Sequence, residues 1–307
     1  MTTEFDIVGI GVSVWDNLFL VDELPHRGQV VQACERVEGI GGGITVALAT
    51  AAQLGSRVAL VDSLGDDPPA KRILETLQTL GVDCRQITQH LGKTSSVASI
   101  WADKADVERT IVFSPGSACD QLSWSNELGD AVASAKLLHL NGRHPEVCRR
   151  AIEIAKQATT LVSFDGGAYR YRPQILPMLM GADIAIVAAQ FAAQHFQMRY
   201  PNRSVIGARE LVEFLSADLG CQIAGVTDGA GGSYLKQQGQ PTIFQPAIEV
   251  DQAVDTTGCG DTYHGAFLHA WVAEQSLSQA AQLAAQTASQ NARRMGAYSL
   301  ASMPGGQ

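Results

Sequence analysis

Short apolar runs, each closed by glycine or a polar break, recur along almost the whole chain and set its expected architecture. Residues 5–10 place Ile7, Val8 and Ile10 ahead of Gly11 and read as a buried strand. Residues 44–54 are rich in Ala and Leu, follow a glycine cluster at 39–43 and stop at Gly55, which predicts a helix with a glycine stop. A β-branched run at 57–61 predicts a strand, and 70–80 predict a helix ended by Gly81. From Lys136 onward strands at 137–140, 160–164, 183–187 and 221–227 interleave with helices at 145–157, 173–180 and 208–218. Two long helical patterns, 261–274 and 278–295, close the chain.

Such alternation predicts an α/β fold of three layers, α/β/α, with a mainly parallel central sheet covered on both faces. Ligands in that architecture sit beyond the carboxyl ends of the strands. Residues 95–101 and 109–113 have a different texture, two short strand-like runs around the polar stretch 103–108, and 30–37 are similar. These pieces predict a small separate β-sheet, a lid built from segments near 14–38 and 95–114. No repeat, low-complexity tract or linker divides the chain, so residues 1–307 are expected to form a single domain.

Composition narrows the class. Hydrophobic residues make up 46% of 307 and charged residues 17%, enough for a large core. A net charge of -9 lacks the basic footprint of a nucleic-acid binder. The six cysteines show no CxxC pair and no zinc-ligand spacing with histidine, so reduced thiols are expected. There is no basic, then apolar, leader and no run of membrane-spanning length, which predicts a cytoplasmic protein without a membrane partner.

The most informative stretch is Asp255-Thr256-Thr257-Gly258-Cys259-Gly260-Asp261 at the start of an apolar helix. The N–H groups of Gly258, Cys259 and Gly260 can converge there on an anion, because the first turn of a helix leaves them unpaired. Asp261 at the mouth of that turn can accept a proton from an attacking hydroxyl while the amides stabilise a transferring phosphoryl group. An aspartate and glycines at a helix start can also be an ordinary cap and turn. A thiol at a helix N-terminus is expected to have a lowered pKa, which marks Cys259 for oxidative inactivation.

That string resembles the C-terminal signature of the ribokinase (PfkB) family of carbohydrate kinases. The resemblance implies a ribokinase-like fold, ATP with Mg²⁺, Asp261 as catalytic base, and Gly258, Cys259 and Gly260 as anion hole. It also implies that Asp255 and Thr257 help bind a monovalent cation such as K⁺. The opening of the chain, from Gly9 through Asp16 to Pro25, is similar to the family's, where an aspartate binds sugar hydroxyls, here Asp16. Gly42 and Gly43 match the N-terminal signature that lies against the sugar, although Val46 stands where the family usually has Asn. Thr227, Gly229 and Gly232, in the run Thr227-Asp228-Gly229-Ala230-Gly231-Gly232 after a strand, resemble its nucleotide loop.

A departure concerns the metal. Many members carry Asn-x-x-Glu where this chain reads Val187-Ala188-Ala189-Gln190. That stretch, with Leu138-His139-Leu140-Asn141-Gly142-Arg143 and Glu108-Arg109-Thr110-Ile111, is similar to ketohexokinases, and sulfofructose kinases share the layout. By that resemblance Arg109 and Arg143 face the substrate. The implied function is transfer of the γ-phosphate of ATP to a small sugar. Nucleoside or sugar-phosphate kinases of the same fold, and a catalytically silent binding protein, are the alternatives. Lids in this family often pair across a homodimer. Gly92-Lys93-Thr94 ends like a phosphate-binding loop but lacks the earlier glycine, and Gly9-Ile10-Gly11 lacks the third position and the helix of a dinucleotide fingerprint.

Overall fold

A computed structural model describes residues 3–104, 109–168, 170–251 and 253–298. Glu108, quoted beside Arg109, lies outside the described residues. In chain order the elements are β1 (Phe5–Ile10), β2 (Val14–Val21), β3 (Glu35–Gly41), α1 (Gly43–Gln53), β4 (Val58–Gly65), α2 (Pro68–Thr79), β5 (Val82–Asp83), β6 (Ile87–His90), β7 (Ser96–Asp103) and β8 (Arg109–Ser114). There follow α3 (Asn126–Ala133), β9 (Ala135–Leu140), α4 (Pro145–Ala158), β10 (Leu161–Gly166), α5 (Leu176–Met180), β11 (Ile184–Ala188), α6 (Ala189–Arg199), α7 (Ala208–Leu219), β12 (Ile223–Thr227), β13 (Ser233–Gln237), β14 (Ile243–Gln245), α8 (Cys259–Val272) and α9 (Leu277–Asn291).

The main sheet runs β14-β13-β12-β11-β10-β9-β1-β4-β5, with β6 also on β4. Its members from β12 to β5 are parallel, and β13 and β14 add an antiparallel edge. Strand β4 is buried at every position, as expected of a strand with helices on both faces. One core joins that sheet to α3–α7, through Leu128, Val147, Met178, Phe191 and Leu211. The other joins it to α1, α2, α8 and α9, through Ile44, Ile73, Phe267 and Ala281. This is the three-layer arrangement that the alternating pattern predicts.

Four strands in the order β3-β2-β7-β8 form the separate small sheet. Strand β7 alternates buried and half-buried residues, so one face packs and the other is left to solvent. The packed face contributes Val14, Leu18, Leu20, Ala98 and Ile100 to a third apolar cluster with Cys119 and Met295.

The structure moves several expected boundaries. The strand expected from residue 30 begins at Glu35, and Val30 is almost fully exposed. The helix expected over 173–180 is a 3₁₀ turn at Pro173–Ile175 followed by α5. Helices α3 and α6 have no counterpart in the apolar pattern read from the sequence.

Packing of α1 on α8 is what places the candidate site. Both helices are apolar around most of their circumference, with residues 43–51 and 262–268 buried. A Cβ on Gly265 would lie 2.2 Å from the Ala47 carbonyl oxygen. Glycine at that crossing lets the two backbones approach.

Candidate active site

Helix α8 starts on Gly258, which has φ 74° and no side-chain cap. A Cβ there would stand 2.0 Å from the Ala297 carbonyl oxygen, so glycine is required by both conformation and space. The preceding loop is held from inside. Asp255, almost fully buried, accepts hydrogen bonds on Oδ1 from the Thr257 N–H (2.8 Å) and hydroxyl (2.6 Å). Its Oδ2 accepts from the Gly296 N–H at 2.9 Å, and the Asn291 amide donates to the Thr257 carbonyl at 2.8 Å. Gly260 is exposed, and nothing lies within 4 Å of the place its Cβ would occupy. The loop is therefore rigid behind and open in front.

The expected trio of convergent amides needs one correction. Cys259 N–H is turned back onto the Thr256 carbonyl at 3.3 Å, so it is partly engaged within the loop. A second correction concerns the same residue. Burial pushes the Cys259 thiol up to about 11, opposite to the expected lowering, and the Asn291 amide at 3.8 Å only partly offsets this. A buried protonated thiol is a poor nucleophile, so the expected oxidation hot spot is not supported.

Asp261 lies in the first turn of α8 and keeps partial exposure. Its partner across the gap is the N-terminus of α1. A Cβ on Gly43 would meet Asp261 Oδ1 at 2.7 Å, Arg170 Nη1 at 3.2 Å and Asn141 Nδ2 at 3.4 Å. Three polar groups from α8, the loop after β10 and the end of β9 thus converge on one glycine. Burial raises the Asp261 pKa above the ordinary carboxylate value. Arg170 opposes that rise, Asp165 adds to it, and His264 and Arg109 oppose it. Gly42, the cap of α1, has φ 93°, and a Cβ there would lie 2.0 Å from the Val12 carbonyl oxygen.

Asp16 comes from the small sheet and faces the same space. It is 7% exposed and lies against Gly41, whose Cβ would fall 2.0 Å from Asp16 Oδ2. Burial, with the charges of Asp261 and Asp255, lifts its pKa to about 7. A carboxylate so placed accepts two hydroxyl donors at once, which suits a polyol. Arg109 at the start of β8 donates to the Thr256 hydroxyl at 2.7 Å, tying the small sheet to the loop before α8. Arg143 stands 5.4 Å over the Phe113 ring of β8 and makes a second bridge between the sheets.

Thr227 ends β12, and Gly229–Gly231 form a 3₁₀ turn. Gly232 has φ 85°, and its Cβ would lie 2.5 Å from the Gln245 carbonyl oxygen. The Ser233 hydroxyl and Tyr263 phenol hydrogen bond at 2.9 Å, which fixes this loop against α8. Val46 is fully buried in the core, so that position presents an apolar residue and not a polar sugar contact.

Sequence reasoning assigned no role to Asn141, Asp165, Arg170 or His264. Asp165 Oδ2 lies 3.5 Å from Arg170 Nη1, and its Oδ1 lies 3.3 Å from His264 Nε2. The available signal was an acidic residue and glycines at the end of a strand, followed closely by an arginine.

A family model described as pfkB family carbohydrate kinase matches residues 6–304. The chain belongs to that family. It is 25% identical over 307 residues to a ribokinase of Dictyostelium discoideum, covering 95% of this chain and 96% of that protein. It is 24% identical over 300 residues to a nucleoside kinase of Methanothermobacter thermautotrophicus, covering 94% and 90%. Its fold superposes on an Arabidopsis thaliana ribokinase complexed with ribose and ATP, with a TM-score of 0.79 and 24% identity, over 96% of this chain and 94% of that one.

As a pfkB family member the protein is an ATP-dependent phosphotransferase that acts on an alcohol group. Among the described residues no three His, Cys, Asp or Glu side chains converge to hold a metal ion. The stretch Val187-Ala188-Ala189-Gln190 closes β11 and opens α6 without a carboxylate. No described helix is long and apolar enough to cross a membrane.

Proposed function

We propose that the protein transfers the γ-phosphoryl group of ATP to a hydroxyl of a small sugar, with Asp261 as general base. The observation that carries this is the convergence of Asp261, Arg170 and Asn141 on Gly43, between two helix N-termini. Asp16 on the small sheet supplies the acceptor's hydroxyl contact, and the Gly258 and Gly260 amides, with the partly engaged Cys259 N–H, hold charge on the transferring group. The loop Thr227–Gly232 takes the nucleotide. Closing the small sheet through Arg109 and Arg143 keeps water from the phosphoryl group. Mg²⁺ supplies charge neutralisation on the ATP phosphates. With no carboxylate cluster among the described residues, the ion is held largely by those phosphates and water. Asp255 and Thr257, already bonded to each other, are the candidate edge of a K⁺ site.

A ketohexose is the best-fitting acceptor by resemblance to ketohexokinases and sulfofructose kinases. The relatives' names, ribokinase and nucleoside kinase, support a pentose or nucleoside equally. Two arginines, Arg109 and Arg170, act on Asp261, which favours an acceptor that already carries an anionic group as the second reading. A catalytically silent protein is disfavoured by the open approach to Asp261. We also propose a homodimer through the small sheet, whose outer strand leaves Ile111, Val112 and Phe113 exposed, with a second copy as occupant. A monomeric mass at micromolar concentration would overturn that part.

ADP release from Mg·ATP over a panel of ketohexoses, pentoses, sugar phosphates and nucleosides tests the assignment, with Asp261→Asn as the decisive variant. Turnover is expected to fall by about 10²–10⁴ with folding retained. Near-wild-type turnover in Asp261→Asn removes the base assignment.

A further inference from the structure

We infer that His264 and Asp165 are positioning residues for the catalytic carboxylate: Asp165 fixes Arg170 beside Asp261, and His264 fixes Asp165. This inference rests on the kinase reading above.

The connections form one line through the protein. Asp165, next to last in β10 and 5% exposed, gives one oxygen to Arg170 (3.5 Å) and the other to His264 Nε2 (3.3 Å). His264 is buried and follows Asp261 by one turn of α8, so the helix that carries the base also carries the group that holds Asp165. His139, buried beneath it with ring centroids 5.5 Å apart, completes the layer and bonds the Ser163 hydroxyl at 3.2 Å. Burial alone would raise the Asp165 pKa. His264 and Arg170 outweigh it and hold the carboxyl well below the usual range.

Arg170 is half-exposed, yet its backbone and the two residues after it are held. Its own N–H donates to the Gly167 carbonyl at 3.2 Å, and Arg172 donates to the Gly142 carbonyl at 2.9 Å. Between them the Tyr171 hydroxyl bonds His195 Nδ1 at 3.1 Å, and His195 Nε2 meets Asp218 at 3.0 Å. A flexible surface arginine would need none of this. An ion pair with one half-exposed partner adds little net stability, so its value here is geometric.

The chemical consequence falls on Asp261, which must be ionised to accept a hydroxyl proton. Arg109 from β8 and Arg170 from the loop after β10 face it as cations. Asp165 from β10 faces it as an anion and Asp16 from β2 as a carboxyl whose own pKa is raised, with His264 on its own helix. Loss of the His264 contact releases Asp165, and Arg170 then loses its fixed seat beside the base. Protonation of Asp261 therefore extends to higher pH.

The test is the pH profile of kcat/KM, followed by ADP release with the best acceptor of the panel, in wild type, His264→Leu, His264→Gln, Arg170→Met and the His264→Leu/Arg170→Met pair. The acid limb of this profile reports the free enzyme's base. His264→Leu is expected to move that limb up by roughly half a pH unit or more, with activity lost several-fold at neutral pH and recovered in alkali. His264→Gln keeps an N–H for Asp165 and should leave the limb near wild type. Arg170→Met should move it at least as far, and the double variant no further than Arg170→Met alone, since one residue acts through the other. An unmoved limb in His264→Leu, or additive shifts in the double variant, overturns the inference. If His264→Leu fails to fold, His264→Phe, which also lacks a donor for Asp165, is read in its place: a raised limb supports the inference, and an unmoved limb in it or in Arg170→Met overturns it. Asp261→Asn separates the two levels: if it is inactive while His264→Leu keeps the wild-type profile, only the positioning role falls, and if it is active the base assignment itself falls.

Discussion

Helices α2 and α9 begin on side-chain caps, whereas α1 and α8 begin on glycines with none. At α2 the Asp67 carboxylate accepts the Ala70 N–H at 3.2 Å, and Pro68 occupies the first helical position. At α9 the Ser276 hydroxyl accepts the Gln279 N–H while Gln279 accepts the Ser276 N–H, a reciprocal box. Both caps reach three residues along the chain, and Asp67 is held in addition by the Ser95 N–H and hydroxyl. At α1 and α8 the capping glycines have φ 93° and 74°, and each rests 2.0 Å, measured from an imagined Cβ, from a carbonyl of a remote segment. A helix start capped by its own side chain has one of its four free amides already filled and a polar group standing over the turn. One that starts on glycine has no side chain over its first turn, and at α8 the Cys259 N–H is partly engaged within the loop. The positive φ of Gly42 and Gly258 sets these two starts at the cleft apart from α7, whose capping Gly207 has φ -72°.

Breaking the second kind should cost most. Gly258→Ala forces a left-handed φ, worth about 1–2 kcal/mol, and drives Cβ into the Ala297 carbonyl. Its thermal unfolding midpoint should drop clearly, and turnover should fall by roughly a hundredfold as the first turn of α8 shifts by about 1 Å. Wild-type values for both would mean that the loop does not have the geometry described. Gly43→Ala is a narrower insult, because its Cβ meets the Asp261 and Arg170 side chains and not backbone. Turnover should drop by roughly tenfold or more while the melting curve stays close to wild type. Equal losses of stability and activity would place the effect on α1 packing. Ser276→Ala is the contrasting case, expected to cost about 1 kcal/mol in denaturant unfolding with initial rates unchanged. A rate defect there would erase the distinction between the two kinds of helix start.

The string at 255–261 was readable as a candidate because its chemistry is local: small residues, an acid and the onset of an apolar helix stand side by side, whereas the glycines at 41–43 pointed to a site only through resemblance. Asp16 was legible only through resemblance, since a carboxylate on a strand carries no signal of what it will face. For His264 the sequence offered only its place one helical turn after Asp261, and for Arg170 only its nearness to Asp165 and two glycines, neither enough to assign a role. Each lies at ordinary spacing in an unremarkable run, and they matter only because Asp165 stands between them. The lowered thiol pKa expected for Cys259 failed for a related reason. Helix position favours a thiolate, but desolvation depends on what packs around the sulfur, and here burial wins.

By itself the sequence determined the alternation of strands and helices, the small second sheet, and the turn that carries Asp261, all of which follow from neighbours in the chain. Only the tertiary structure decided which groups share the space around that carboxylate. The close α1–α8 crossing at Gly265 brings Gly43 to Asp261, and the β10–α8 contact brings Asp165 to His264. Those meetings depend on packing distances of a few ångströms between segments far apart in the chain, and no local pattern encodes them.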